Sequence, residues 1–148
     1  MNMSILIVDD SSMARSIIRR SLEICGLQNI DYQEASDGRE ALELLKSGTA
    51  VDVIFSDLNM PNMGGEQLLK HVKGSPRFHD IPVVIITSLY SDFKKNNLLA
   101  EHAAAVLQKP VTIPQLNEIL AEPLGLLGGD DLDLEGDEFD LGGEDYEL

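Results

Sequence analysis

The chain is 148 residues long and carries 11 Lys and Arg against 26 Asp and Glu, a formal net charge of −15. This length suits one domain, and 43% hydrophobic with 25% charged residues excludes a wholly disordered or fibrous chain. Residues 1–122 hold all 11 basic residues and 16 acids, while 123–148 hold 10 acids and no base. Neither segment has the basic footprint that displaces counterions from phosphates, which argues against DNA binding by this chain.

The start, Met1-Asn2-Met3-Ser4-Ile5-Leu6-Ile7-Val8 before Asp9-Asp10, lacks a basic leader, and its apolar run is too short for a secretory signal. No stretch reaches the about 20 apolar residues of a spanning helix, so no membrane association and a cytoplasmic location are expected. Strands are expected at Ile5–Val8, Ile30–Glu34, Val53–Ser56, Val83–Thr87 and Ala105–Gln108. Three are continuous apolar runs, as in parallel sheets covered on both faces.

Helices are expected between the strands. Ser11 or Ser12 caps the first, whose inward face is read as Ala14, Ile17, Ile18 and Leu22, with Cys25 following as a buried core thiol. Asp37 caps a second over Gly38–Leu45, and Gly26 and Gly48 end the first two. A third runs from Gly65 to Lys73 and a fourth, poorly patterned, from Ser91 to about Glu101. The fifth starts after Thr112, accepts Pro114 in its first turn and stops before Pro123. Five such βα units specify an α/β fold, a doubly wound five-stranded parallel sheet with helices on both faces.

Ligands of such sheets bind beyond the carboxyl ends of the strands. The polar residues there are Asp9-Asp10 after the first strand, Asp57 after the third, Thr87-Ser88 after the fourth and Lys109 after the fifth; the second contributes no comparable group. Clustered carboxylates repel, and a hard divalent cation with oxygen ligands is the usual compensation, with Mg²⁺ the natural candidate. Asp57, alone at the end of a central strand, is the candidate nucleophile toward phosphorus, with Asp9 and Asp10 better placed to hold metal. Lys109 and the Thr87 hydroxyl would share the charge of an aspartyl phosphate.

With these groups on view, residues 3–122 resemble the receiver (CheY-like) domain of two-component response regulators. The resemblance rests on Ile5-Leu6-Ile7-Val8-Asp9-Asp10, on Asp57-Leu58-Asn59-Met60-Pro61-Asn62-Met63-Gly64-Gly65, on Thr87-Ser88 and on Lys109-Pro110. It implies a flavodoxin-like strand order 2-1-3-4-5 and a phosphoryl group accepted on Asp57 from a sensor histidine kinase or His phosphotransfer protein. It also implies Mg²⁺ held by Asp10, Asp57 and the Asn59 main-chain carbonyl, with Asp9 acting mainly through water. Thr87 and Lys109 would contact the phosphoryl group, and the Lys109–Pro110 peptide would be cis. The chemistry expected is self-phosphorylation and dephosphorylation within a signalling domain, not an enzyme's turnover. One departure concerns output: family members commonly carry an aromatic three residues before the lysine, where this chain has Val106. Tyr90 and Phe93 lie nearby in sequence but read more naturally as packing residues. His71, His79 and His102 fall outside the cluster and read as surface or loop residues.

The chain therefore divides into a receiver over 1–122 and an acidic, Gly-rich tail over 123–148. Within 127–148 the pattern acid-acid-hydrophobic-acid-Leu recurs three times at a spacing of seven, ending at Leu134, Leu141 and Leu148. Apolar positions five and two apart exclude a coiled coil, and the acids do not follow a calcium-loop pattern. Composition alone suits a solubilising tail. The retained register of Leu, Phe and Tyr suits a docking tail whose triads seat in a downstream protein's apolar groove rimmed by Lys and Arg.

The leading reading is a single-domain response regulator signalling by phosphorylation-dependent protein contacts. The alternative is an adaptor or phosphate-sink module whose tail recruits a partner regardless of phosphorylation, and comparing partner affinity with and without a phosphoryl mimic separates the two. A hydrolase with an aspartyl-phosphate intermediate ranks last, because Asn59 stands where such enzymes place a second acid.

Overall fold

The computed structural model describes residues 3–27 and 29–126. The repeats over 127–148, and most of the expected tail, lie outside the described residues. Five strands, β1 (Ser4–Val8), β2 (Asp31–Ala35), β3 (Val53–Asp57), β4 (Val83–Thr87) and β5 (Ala105–Gln108), alternate with five helices. The helices are α1 (Ser12–Ile24), α2 (Gly38–Lys46), α3 (Gly65–Lys73), α4 (Asp92–Ala100) and α5 (Ile113–Ala121). The strands form one parallel sheet in the order β2-β1-β3-β4-β5, the expected doubly wound arrangement.

Period-two alternation sends successive strand residues to opposite faces, which splits the core into two layers. Leu6, Val8, Ile54 and Ile85 pack with Leu42, Leu69, Val72 and Leu98 of α2, α3 and α4. Ile5, Ile7, Phe55, Val84 and Ile86 pack with Ile18 and Leu22 of α1 and Leu116 and Leu120 of α5. Burial on both sides explains why β1, β3 and β4 are buried throughout. The second strand lies one residue later than expected, because Ser4 pairs with Asp31 and Val8 with Ala35, leaving Ile30 to pack from outside the strand.

On α1 the expected inward face is only half right. Ile18 and Leu22 are buried, whereas Ile17 is 54% exposed, because adjacent helical positions diverge by about 100° and only one of two neighbouring isoleucines can face the sheet. Cys25 is half-buried and not fully enclosed as expected; its Sγ lies 3.9 Å from the Ile113 carbonyl, and burial pushes the thiol up, away from thiolate reactivity. Ser11 is the cap of α1, its side chain accepting the Ala14 N–H. Gly26 and Gly48 take φ of 105° and 96°, the left-handed conformation that ends a helix after its last turn. Beyond α5, Leu124 and Leu126 pack against the α1/α5 layer.

Asp37 ties α2 to the loop after β3. Its Oδ1 accepts the Glu40 N–H at 2.9 Å and its Oδ2 accepts Asn62 Nδ2 at 2.8 Å. The Asn62 hydrogen bond, followed by the Glu40 backbone bond, holds the carboxyl below its ordinary value. A lowered acid stabilises the fold above its unfolded pKa of about 4, and this contribution is lost as pH falls through the folded value. Asp37→Ala is expected to lower stability by about 1 kcal/mol at pH 7, the usual worth of a helix cap. The gap to wild type should narrow below about pH 4 as the native carboxylate protonates, a comparison read from urea midpoints at pH 7 and pH 3.

Candidate functional site

β1, β3 and β5 end at the same edge of the sheet, and their polar followers converge there. One carboxylate oxygen each from Asp9, Asp10 and Asp57 lies within 4.8 Å of the others. Asp9 and Asp57 are buried and Asp10 is exposed. Lys109 Nζ donates to Asp9 Oδ2 at 2.8 Å and stands 3.3 Å from Asp57 Oδ1, so one ammonium serves two buried carboxylates.

The electrostatics follow from this shortage of positive charge. Burial, then the negative charge of Asp9, push the Asp57 carboxyl above its ordinary value, with Lys109 pulling the other way. For Lys109 burial works against the ammonium, but the hydrogen bond to Asp9 and the charge of Asp57 outweigh it and raise the group above its ordinary value. Both partners are therefore raised: Lys109 sits closer to Asp9 than to Asp57, leaving Asp57 only partly compensated.

Asp9 has no idle oxygen, since Oδ1 accepts the Ser11 N–H at 2.9 Å and Oδ2 takes Lys109. Thr87 is fully buried at the end of β4, and its hydroxyl oxygen accepts the Leu89 N–H at 2.9 Å. Asn59 is exposed two residues beyond Asp57, and the Lys109–Pro110 peptide is cis. The three histidines are exposed and lie on or beside α3 and α4. An all-oxygen donor set of three carboxylates fits a hard divalent cation and suits neither a soft nor an imidazole-seeking metal.

Two contributors escaped the sequence reading. Arg15 Nη1 donates to the Asp9 main-chain carbonyl at 2.6 Å and its Nε to Glu34 Oε1 at 2.6 Å, so β2 does present a carboxylate at this edge, spent on Arg15. No spacing rule announces an arginine that works through a carbonyl. Gly65 is the other: a Cβ there would fall on the Asp57 carbonyl oxygen, which the Gly64-Gly65 pair could have signalled.

The chain is thus a doubly wound α/β domain with three carboxylates and a lysine gathered at the carboxyl edge of its sheet. Residues 5–121 match the response regulator receiver domain, and the chain belongs to that family. It is 34% identical over 128 residues to a chemotaxis protein CheY homolog of Campylobacter jejuni, covering 86% of this chain and 97% of the relative. It is 37% identical over 123 residues to chemotaxis protein CheY1 of Helicobacter pylori, covering 83% and 98%. Among solved structures, the chemotaxis response regulator CheY4 of Vibrio cholerae superposes with a TM-score of 0.68 at 34% identity, covering 82% of this chain and 98% of that one. No described helix is long and apolar enough to cross a membrane.

Proposed function

We propose that Asp57 is the phospho-acceptor of a cytoplasmic response regulator, with the receiver spanning 1–122 and the acidic tail 123–148. An Asp57 oxygen forms the new O–P bond as the P–N bond to a donor histidine breaks, and the imidazole leaves with the electron pair and takes up a proton. The donor is a sensor histidine kinase or a His phosphotransfer protein. The observation that carries this reading is the buried, under-compensated Asp57 carboxylate beside Lys109.

Asp10, Asp57 and the Asn59 main-chain carbonyl would hold Mg²⁺, with Asp9, whose oxygens are already engaged, reaching it through water. A bound Mg²⁺ supplies charge neutralisation for the carboxylates and for phosphate oxygens. Lys109 orients the phosphoryl group by a charge-assisted hydrogen bond, and the Thr87 hydroxyl turns from Leu89 to a phosphoryl oxygen. The changed loops after β3 and β4 then alter protein contacts. The tail docks a downstream protein whose apolar groove is rimmed by Lys and Arg.

Incubation with a small phosphodonor and Mg²⁺ is expected to add one phosphoryl group to the wild type and none to Asp57→Asn. Equal labelling of the two proteins, or no labelling of wild type, overturns the assignment.

A further inference from the structure

Asp9 is held at every polar atom. Its N–H donates to the Ala35 carbonyl at 3.1 Å, its Oδ1 accepts the Ser11 N–H, its Oδ2 takes Lys109, and its carbonyl accepts Arg15 Nη1 at 2.6 Å. Asp10 is the opposite case. It is exposed, and among the described residues no hydrogen bond or ion pair reaches its carboxylate. Yet one of its carboxylate oxygens lies within 4.8 Å of counterparts on Asp9 and Asp57. The backbone is what sets its direction. The peptide joining Asp9 to Asp10 is planar, so the Asp9 carbonyl and the Asp10 N–H and Cα move as one unit.

We infer that Arg15, anchored by Glu34, is a positioning residue of the cation site: by gripping the Asp9 carbonyl it fixes the Asp9–Asp10 peptide plane, and with it the direction of the Asp10 carboxylate. Three elements build the grip. Arg15 stands near the start of α1, where its own N–H bonds the Ser11 carbonyl at 3.1 Å. Asp9 follows β1, and Glu34 belongs to β2, in register with Ile7 of β1. Arg15 Nε donates to Glu34 Oε1 at 2.6 Å, and the Arg15 side chain is only 16% exposed. A guanidinium donates in two fixed directions at once, which a single ammonium cannot do.

Glu34 has a second effect. A guanidinium beside an unpartnered carboxylate forms a bidentate pair with it, so Arg15 released from Glu34 would compete for the Asp10 oxygens that a cation needs. Engaging Nε with Glu34 keeps the Arg15–Glu34 pair neutral and leaves Asp10 open. The inference rests on the reading of Asp10 and Asp57 as cation ligands, and is independent of which donor supplies the phosphoryl group.

The test is a Mg²⁺ titration of the full chain, followed at the backbone amides of Asp10 and Asn59 so that acids elsewhere do not contribute. Arg15→Met is expected to weaken Mg²⁺ binding about tenfold, the lower end of the cost of losing a group that orients a metal ligand. Charge alone predicts the reverse, because removing a cation beside an acidic cluster strengthens its attraction for a dication. Arg15→Met/Glu34→Ala leaves the local net charge unchanged; it should be weakened as much as Arg15→Met and no further, since Glu34 acts through Arg15. Arg19→Met removes the same charge one turn along α1, from a pair with Glu23, and should not weaken binding. Phosphodonor labelling of Arg15→Met should need about tenfold more Mg²⁺ and then approach the wild-type extent, a split that general destabilisation does not produce. Arg15→Lys, the milder change, keeps the charge without the fork and is expected to bind Mg²⁺ several-fold more weakly. Binding as tight as wild type or tighter in Arg15→Met, or in Arg15→Lys should the first variant lose its native amide spectrum, overturns the proposal. Wild type that binds no Mg²⁺ at these amides overturns the cation reading together with this inference, whereas wild type that binds Mg²⁺ and takes no phosphoryl label overturns only the Asp57 assignment.

Discussion

Lys109→Met is expected to lose about 3 kcal/mol of stability at pH 7 in the absence of divalent metal, at the lower end of the range for breaking a buried ion pair. Asp9 is 1% exposed and the Asp57 side chain 11%, so neither carboxylate can recover its lost partner from water. Methionine keeps most of the volume, which isolates the charge from the packing. The Lys109 side chain is itself 27% exposed, and this partial solvation keeps the figure from the upper end of the range. Added Mg²⁺ should return much of the loss, since a ligand that binds only the native state stabilises by mass action. Urea denaturation of both proteins with and without Mg²⁺ measures this. A variant as stable as wild type without metal would show that Asp9 and Asp57 do not depend on this ammonium.

Gly65→Ala is expected to lower stability by about 3 kcal/mol or more and to impair Asp57 labelling with it. Propensity alone points the other way, because alanine is about 1 kcal/mol better than glycine inside a helix. The added Cβ, however, would fall on the Asp57 carbonyl oxygen and lie 3.1 Å from the Leu58 Cα. Both obstacles are backbone, so relief requires moving the end of β3, the segment that carries Asp57. The Gly65 N–H also donates to the Leu58 carbonyl at 2.8 Å, which ties the start of α3 to this loop. Thermal unfolding and phosphodonor labelling of the same preparation check both halves, and a stabilised, fully labelled variant refutes the close approach.

The strands were legible because continuous apolar runs such as Val83–Thr87 have no helical period, and two faces must be covered to bury them. The convergence of Asp9, Asp10, Asp57 and Lys109 was legible because parallel strands all end at one edge. The fourth helix was the hardest to read, since Lys94-Lys95-Asn96-Asn97 interrupts its apolar spacing; its start is secured locally by Ser91 accepting the Lys94 N–H. What sequence could not give was anything defined by two distant backbones meeting. Arg15 matters through a carbonyl, Gly65 through another, and the idle-looking Asn62 through Asp37, 25 residues away. The distinction between Ile17 and Ile18 likewise needed the angle at which α1 lies on the sheet.

The contact between Lys109 and Asp9 joins residues 100 positions apart, and Asp57 enters from β3, one of the two strands between theirs. No fragment short of β1 through β5 contains this centre. Its formation consequently requires all of them together, and any affinity it has for a cation reports on closure of the entire sheet and not on one loop. Removing the cation should therefore lower the cooperative unfolding midpoint of the whole domain, and hydrogen exchange should quicken in β1 and β5 together.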